Sequence, residues 1–223
     1  MTRKLFMTGA VIAVAGLVPA PAASAHHGCS AHARGGKITH KTRESHVFEK
    51  NDHWYGCAAK VGRPRLLPGL DTITARRFGD GTVPTHITLS GVFVAYERYT
   101  IYPAGGAGDT QTDLYVVDLR NGKVVVDEDA TAPRPQTEDR WVDRIVLKRN
   151  GSVGWISTRE TYGVYPDFTL TYEVHRHSLD PAAPGRATLD EGTDIDRESL
   201  RLSADRRAMT WTRGGQPKSA ALP

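Results

Sequence analysis

The sequence contains one short phrase four times: an apolar strand, a tight polar turn, and a second strand that ends in a large aromatic residue. The four copies occupy residues 47–55, 87–96, 145–155 and 200–211, and they end in Tyr55, Tyr96, Trp155 and Trp211. A unit that recurs about every 40–60 residues is typical of propellers and other repeat arrays. No stretch has convincing helical periodicity. The sequence therefore predicts an all-β chain, a propeller-like array of about four antiparallel blade repeats.

Residues 1–25 have the three parts of a secretory signal peptide. Arg3 and Lys4 supply the positive charge, an apolar stretch runs from Leu5 to Ala20, and the small residues 23–25 match a cleavage pattern. The apolar stretch is rich in alanine and glycine and ends at prolines, which disfavours a transmembrane anchor. We expect cleavage after residue 25, a secreted and extracellular mature chain, and no transmembrane segment in that mature chain.

The chain has two cysteines, Cys29 and Cys57. In an exported protein, an isolated pair of cysteines predicts one structural disulfide. On the chain-entropy model, closing this loop stabilises the fold by about 3.5 kcal/mol. The two residues are far apart in sequence and form no Cys-x-x-Cys motif, so the pattern does not indicate a redox site.

The charge pattern argues against nucleic acid as a partner. The chain carries 29 Lys and Arg against 25 Asp and Glu, and two of the basic residues lie in the signal peptide, so the mature chain has a formal charge of +2. The charges are interspersed and form no basic stripe with interleaved aromatics. This pattern is typical of a solvated surface.

Composition divides the chain into three segments. Residues 1–25 are the signal peptide, residues 26–44 are a polar N-terminal tail, and residues 45–223 are the β-propeller-like repeat domain. Two Asn-Gly pairs, at 121–122 and 150–151, predict two-residue hairpins of type I′. The fourth repeat supplies only three strands, so a strand at 37–40 is expected to complete it and close the ring.

Several phrases of the repeat domain resemble a known family. They are LSGVFVAY, LYVVDLRNGKVV, IVLKRNGSVGWI, YEVHRHSLD, LDEGTDID and SLRLSADRRAMTWTRGG. These phrases resemble the blade repeats of TolB-like and WD40-like β-propellers. They are more closely similar to a group of secreted propeller-like proteins of high-GC Gram-positive bacteria with no assigned function. The resemblance covers residues 45–223 and implies a propeller architecture, but it transfers no catalytic residue.

Two insertions are candidate binding loops. Residues 100–112 and 158–169 follow the second strand of neighbouring repeats, so a propeller would bring them out side by side on one face. The candidate contact residues are the aromatics Tyr99, Tyr102, Tyr162, Tyr165 and Phe168, together with Trp141, which lies outside the repeat pattern. The alternative is that the insertions are plain hairpin loops. The aromatics that recur in every repeat are instead expected to pack blade against blade.

Histidines at the expected mature N-terminus are the first candidate metal ligands. His26, His27 and His32 cluster there, and a free amine with neighbouring imidazoles binds copper well. The alternative is a polar start to the mature chain that binds no metal.

Two further groups have residue types that bind metals. His175 and His177 share one strand face, but no third ligand is evident. Acidic residues concentrate at 127–129 and 190–196, where oxygen-rich loops suit calcium, although the EF-hand spacing is absent. Exposed strand polarity and turn capping are the competing interpretations.

No Gly-x-Ser-x-Gly, His-Glu-x-x-His or P-loop motif occurs in the sequence. The leading hypothesis is therefore a secreted, non-enzymatic binding protein that uses loops on one face of a propeller-like domain, as a monomer or homodimer and without a cofactor. Its expected partner is an extracellular protein or glycan. The alternatives are an extracellular metalloprotein or enzyme with a His-based site, and a structural role in the cell envelope.

Overall fold

The computed structural model describes residues 28–71, 82–102, 109–130, 138–162 and 167–223. These residues form one short helix and fifteen strands, and the strands pair into four antiparallel sheets. Within each sheet every strand pairs with its neighbour in sequence, as short turns between alternating strands require. The predicted all-β class and its four small antiparallel sheets are confirmed.

The sheets follow one another along the chain. The first sheet follows helix α1 (Cys29–His32) and contains β1 (Lys37–Lys41), β2 (Ser45–Lys50), β3 (His53–Ala58) and β4 (Pro64–Asp71). The second contains β5 (Thr82–Ser90), β6 (Phe93–Tyr102), β7 (Asp109–Asp118) and β8 (Lys123–Asp129). The third contains β9 (Glu138–Leu147), β10 (Val153–Tyr162), β11 (Phe168–Ser178) and β12 (Gly185–Gly192). The fourth contains β13 (Ile195–Leu202), β14 (Ala208–Arg213) and β15 (Gln216–Ala221).

Strand β1 lies in the segment that composition assigned to the polar tail. It pairs with β2, so the prediction that residues 37–40 complete the fourth sheet is wrong. The reason is local: the Thr42 hydroxyl accepts hydrogen bonds from the backbone N–H groups of Glu44 and Ser45, which closes a tight turn. This turn folds β1 back onto the strand that follows it. In the first sheet the recurring phrase consequently spans the second hairpin, whereas in the other three sheets it spans the first.

The predicted disulfide between Cys29 and Cys57 is confirmed, with 5.7 Å between the two Cα atoms. It joins α1 to β3. Both cysteines are buried with Ala33 and Phe48 in a small cluster. The disulfide therefore fastens the first described residues onto the first sheet, which is the structural role that the sequence suggested.

The Asn-Gly pairs at 121–122 and 150–151 join paired strands, as predicted, but their turn type was predicted wrongly. Only the glycine of each pair has a positive φ, 79° and 92°, which fits a type I turn followed by a bulge. A type I′ turn needs two successive positive values. These occur between β2 and β3, at Asn51 with 52° and Asp52 with 61°.

The core consists of clusters that join successive sheets. The first and second sheets enclose Tyr96, the second and third enclose Trp155, and the third and fourth enclose Trp211 with Met209. Tyr96 and Trp155 have no exposed surface, and Trp211 is 5% exposed. The prediction that the recurring aromatics pack between repeats is therefore confirmed for these three residues.

The first strand of each sheet forms a row through the molecule: β1 contacts β5, β5 contacts β9, and β9 contacts β13. We call these four the central strands. The pairing of each with its neighbour is irregular, between residues 38 and 40, 85 and 88, 142 and 144, and 196 and 201. An irregularity of this kind bends a strand and redirects its side chains. The central strands thus carry charged side chains that a regular period of two would not predict.

Candidate functional site

A cavity of about 380 Å³ opens where four hairpin turns meet, one from each sheet. Its lining residues lie within 42–44, 89–91, 147–149 and 202–206. Each of these segments ends a central strand or directly follows one. The contacts in the row of central strands therefore bring the four turns together. We call this cavity the turn pocket.

The rim of the turn pocket is basic. Arg43, Arg149 and Arg206 line it, and the one acidic lining residue is Glu44, which gives the cavity a formal charge of +2. Arg149 Nη2 of the third sheet donates to Glu44 Oε1 of the first sheet. Their side chains are 63% and 36% exposed, and an ion pair in such a position contributes only about 0–1 kcal/mol to stability.

The other two arginines have no such partner. Arg43 and Arg206 are both exposed, and within the described part of the chain neither guanidinium makes a hydrogen bond or an ion pair. Both residues line the cavity, and their guanidinium donors have no partner among the described residues. Because a guanidinium carries five N–H donors in a fixed geometry, these are groups that a ligand can engage.

The floor of the turn pocket carries three leucines, although most of the cavity's lining surface is polar. Leu89, Leu147 and Leu202 occupy the ends of β5, β9 and β13, and all three line the cavity. Gly91 makes room beside them. A Cβ atom built on it would lie 3.6 Å from both Arg149 Nε and Glu44 Oε2, so the ion pair lies against the bare backbone of this turn. Apolar side chains with charged groups at the rim are typical of sites for small molecules.

Arg206 has a strained backbone, with φ at 58°. This left-handed conformation costs a residue with a Cβ atom about 1 kcal/mol or more, whereas glycine adopts it freely. The turn that holds Arg206 is fixed locally, because its N–H donates to the carbonyl of Ser203 at 2.9 Å. An arginine at this position is thus less stable than the glycine that the turn geometry favours.

A second charged region, the bulge centre, lies on and beside the same central strands, farther from the turns. We define it by His86 of β5, Glu97 of β6, Asp143 of β9, and Arg197 and Glu198 of β13. His86 and Asp143 each lie four residues before the end of their central strand. The bulge centre and the turn pocket therefore occupy two levels of one row of strands.

Glu97 is the most deeply buried acid of the bulge centre, with 2% of its surface exposed. It accepts hydrogen bonds from the Thr85 hydroxyl, from His86 Nδ1 at 2.9 Å and from the backbone N–H of Val142 at 2.9 Å. The hydrogen bond to Glu97 raises the pKa of His86 above its usual value, against an opposing effect of burial. Because Val142 belongs to β9, this single carboxylate joins the second sheet to the third.

Asp143 is the second buried acid. Its carboxylate accepts hydrogen bonds from the Thr158 hydroxyl and from Trp141 Nε1 at 3.2 Å, and Arg197 Nη1 lies 3.7 Å away. Burial raises the pKa of Asp143, and its hydrogen bonds and the nearby Arg197 partly offset that effect. The contact with Arg197 extends the network from the third sheet to the fourth. The bulge centre therefore holds three sheets together through polar contacts.

The Tyr-Pro insertions are shorter than predicted. β6 continues to Tyr102 and pairs with β7 from Asp109, and β10 continues to Tyr162 opposite Phe168. Tyr165 lies outside the described residues, as do the side chains of Tyr99, Tyr102 and Tyr162. Much of each predicted insertion is thus paired strand. The prediction of an aromatic contact face formed by these side chains stays a prediction.

Two aromatic candidates can be compared with the structure directly. Phe168 is 59% exposed at the start of β11, as a contact residue should be. Trp141 is half-buried in β9 and donates its indole N–H to Asp143. Trp141 is thus only partly exposed, and its role as a contact residue stays a prediction.

The histidine candidates are dispersed. His26 and His27 lie outside the described residues, and His32 lies in α1, where its carbonyl accepts a hydrogen bond from Lys50. Across the described ranges, no group of three or more His, Cys, Asp or Glu side chains is arranged to hold a metal.

The His175 and His177 side chains take part in two different hydrogen-bonded groups. His175 is buried, stacks on Trp155 with ring centroids 5.0 Å apart, and has Nε2 2.9 Å from Glu173. Burial lowers the pKa of this histidine. His177 Nδ1 lies 2.8 Å from Glu128 of β8, so it links the second and third sheets. The two histidines, whose spacing suits a metal in the sequence, thus have separate partners: those of His175 lie within the third sheet, and that of His177 lies in the second.

The acidic run at 190–196 also links sheets. Asp190 lies in β12, where it accepts hydrogen bonds from Trp211 Nε1 at 2.8 Å and from Arg213. As expected, Asp190 also caps a backbone N–H, that of Glu191 at 3.0 Å, and Asp196 caps the N–H of Glu198 at 3.0 Å. The Asp190 carboxylate in addition fastens the third sheet to the fourth.

The arginines of the turn pocket were not among the sequence candidates. Arg149 and Arg206 lie in the polar turn of the recurring phrase, in the third and fourth repeats. That shared position in the recurring phrase could have indicated that the two arginines lie at the same end of their sheets. The first sheet obscured it, because its copy of the phrase contains the turn at 51–52, whereas the turn that reaches the pocket is at 42–44.

No family model matches the chain, and no curated protein matches it. Among solved structures, the chain is similar to one in the complex of KlAtg21 with the coiled-coil of AgAtg16, with a TM-score of 0.42 and 12% identity over 83% of this chain and 53% of that one. It is also similar to the tricorn protease, with a TM-score of 0.32 and 10% identity over 80% of this chain and 24% of that one. The chain thus spans about half of the first and a quarter of the second.

The described residues contain no helix that is long and apolar enough to cross a membrane.

Proposed function

We propose that this chain is a secreted, non-enzymatic binding protein whose binding site is the turn pocket. One observation carries the proposal: four turns from four sheets line one cavity. A cavity of about 380 Å³ is within the range of sites for small ligands, so the ligand is a small molecule or a short protruding group of a larger partner. Turns on a rigid sheet scaffold are a common position for binding residues.

The proposal includes a propeller-like arrangement of the four sheets around the central strands. The contacts of β5 with β1 and β9, and of β9 with β13, support it. So does the meeting of first-sheet and fourth-sheet turns at the same cavity. In such an arrangement the turn pocket is the mouth of the central axis. From the turn pocket, β6 and β10 run back to Tyr102 and Tyr162, at the opposite end of the second and third sheets.

Export is supported by the signal-peptide pattern at residues 1–25 and by the disulfide, since disulfides persist in oxidising compartments. The polar cavity fits a water-soluble ligand encountered outside the cell.

The test is an NMR screen of the mature chain, labelled with ¹⁵N, against a panel of small polar compounds that includes neutral, cationic and anionic members. We expect saturable shifts concentrated at the amides of 42–44, 89–91, 147–149 and 202–206. Shifts concentrated at 99–102, 109–112 and 158–162 would instead place the binding site at the opposite end of the second and third sheets. A panel without any saturable shift would overturn the proposal.

A further inference from the structure

We propose that the turn pocket binds a small dianion, an organic acid or a phosphate ester with a short carbon skeleton. Arg43, Arg149 and Arg206 are its expected contacts, and Glu44 is an internal carboxylate that occupies Arg149 until the ligand displaces it. This inference rests on the proposed function of the pocket and specifies the ligand class.

Charge complementarity sets the number of negative charges. The three guanidinium groups and the single carboxylate that line the cavity leave two positive charges uncompensated. A ligand with two negative charges neutralises them. Carboxylates and phosphates are the anions that guanidinium groups bind with paired, parallel hydrogen bonds.

The leucine floor favours a ligand with carbon atoms over a bare inorganic ion. Leu89 and Leu202, which are both half-buried, line the cavity together with Leu147. A short carbon chain placed against these side chains removes apolar surface from water, which a bare phosphate ion does not do. The cavity therefore fits an ester or a dicarboxylic acid better than orthophosphate.

Glu44 holds the position of a competing anion. Its carboxylate accepts a hydrogen bond from Arg149, and both side chains lie against Gly91. Because both are substantially exposed, the pair can open at little cost. A ligand carboxylate or phosphate that takes the place of Glu44 on Arg149 forms the same kind of charge-assisted hydrogen bond.

Arg206 adds an independent argument. It keeps a left-handed backbone at φ 58°, where glycine is the favoured residue, and its side chain projects to the cavity. Backbone strain of this sort is concentrated at binding and catalytic positions. The strain is explained if the guanidinium has a ligand to bind.

The experiment is an NMR titration of the mature chain with succinate, glycerol 3-phosphate and orthophosphate, followed at the amides of Gly91 and Arg149. Glycerol is the neutral control and 1,4-diaminobutane is the cationic control. We expect succinate or glycerol 3-phosphate to bind saturably and more tightly than orthophosphate, and neither control to bind. The tighter of the two organic anions identifies the carboxylate or the phosphate source.

Four variants test the assignment of contacts. Arg149→Gln and Arg206→Gln are each expected to weaken binding of the preferred anion at least tenfold, because each removes a charge-assisted contact. Glu44→Gln is expected to tighten binding severalfold, because it removes the competing carboxylate. Arg207→Gln is the matched control: it removes the same charge from the same turn at a residue that does not line the cavity, and its affinity should stay within twofold. Melting of each variant shows that it is folded.

Three results would overturn the inference in different ways. If Arg207→Gln weakens binding as much as Arg206→Gln, the anions bind to a diffuse positive field and the contacts are wrongly assigned. If glycerol shifts the turn amides and no anion does, the pocket binds neutral ligands, so the ligand class fails while the proposed function stands. If no probe or panel compound shifts these amides, both proposals fail.

Discussion

The bulge centre and the turn pocket lie along the same row of central strands, but their charged side chains differ in burial and in pairing. In the bulge centre, Glu97 is 2% exposed and accepts three hydrogen bonds from two sheets. In the turn pocket, the arginines are exposed, and among the described residues only Arg149 has a side-chain partner. Buried, paired charges are costly to disturb, whereas exposed ones contribute little to stability. The comparison teaches that charge on these strands stabilises the fold at one level and is available to a ligand at the other.

The largest effect is expected from Glu97→Gln. An amide in place of the buried carboxylate loses the charge-assisted hydrogen bond from His86 and directs donors at a site built for an acceptor. We expect a loss of about 3 kcal/mol, by comparison with other broken buried pairs, which lowers Tm by roughly 6–12 °C. Differential scanning calorimetry measures it.

The control for this change is Glu198→Gln, on central strand β13. Glu198 is 63% exposed and lies 3.6 Å from Arg144, so its removal is expected to cost less than about 0.5 kcal/mol. Equal losses in the free energy of unfolding for the two variants would contradict the distinction between buried and exposed charge.

The second effect concerns the two buried acids. Burial raises the pKa of Asp143, which means that the protein stabilises its charged form less well than that of an ordinary aspartate. Asp143→Asn is therefore expected to cost about 1 kcal/mol, less than Glu97→Gln, because the lost charge was itself unfavourable there. Urea unfolding of the two variants at one pH gives the comparison, and a larger loss for Asp143→Asn would count against it.

The third effect is a pH dependence of opposite sign at two histidines. The pKa of His86 is raised in the folded protein. The contribution of His86 to stability is therefore complete below the ordinary histidine pKa of about 6.5, and it is lost as pH rises through the raised pKa. The folded pKa of His175 is lowered by burial, so its contribution is complete above about 6.5 and is lost as pH falls through the lowered pKa.

The measurement is the Tm of wild type, His86→Gln and His175→Gln at about pH 5.5 and about pH 8.5. The decrease in Tm relative to wild type should be larger at the lower pH for His86→Gln and larger at the higher pH for His175→Gln. Decreases in Tm that change in the same direction would show that one of the two environments is wrongly described.

The smallest effect on stability is expected in the turn pocket. Arg206→Gly relieves a left-handed φ at an exposed position, and we expect stability to stay the same or to rise by up to about 1 kcal/mol. Calorimetry against wild type measures it. A loss of more than about 1 kcal/mol would mean that the Arg206 side chain supports the fold.

The sequence was sufficient to predict the sheets, because period-two alternation and recurring aromatics are local signals. Trp155 and Tyr96 are buried as their repetition implied. The first sheet was misjudged because β1 has the burial pattern of an exposed strand, with Thr39 alone half-buried, so it carries no apolar alternation. Its pairing is decided by the turn at Thr42, a contact that the pattern of apolar residues does not report.

The candidate site was harder to predict, for two physical reasons. Which turns meet depends on how the sheets pack, so Arg43, Arg149 and Arg206 look in sequence like ordinary surface charges. The members of the bulge centre are brought together by register irregularities, which break the alternation from which facing side chains are inferred. His86 and Asp143 therefore come near each other only in the folded chain, where the Asp143 carboxylate adds to the effect of Glu97 in raising the pKa of His86.

The most direct test of the account is thermal melting of wild type and Arg206→Gly, each with and without a saturating dianion, either succinate or glycerol 3-phosphate. A ligand present at about one hundred times its Kd stabilises the native state by about 2.7 kcal/mol. The account predicts a clear rise in Tm for wild type and little or no rise for the variant, although the variant alone is at least as stable. Equal rises for both, or none for wild type, would contradict the claim that the turn pocket is the binding site.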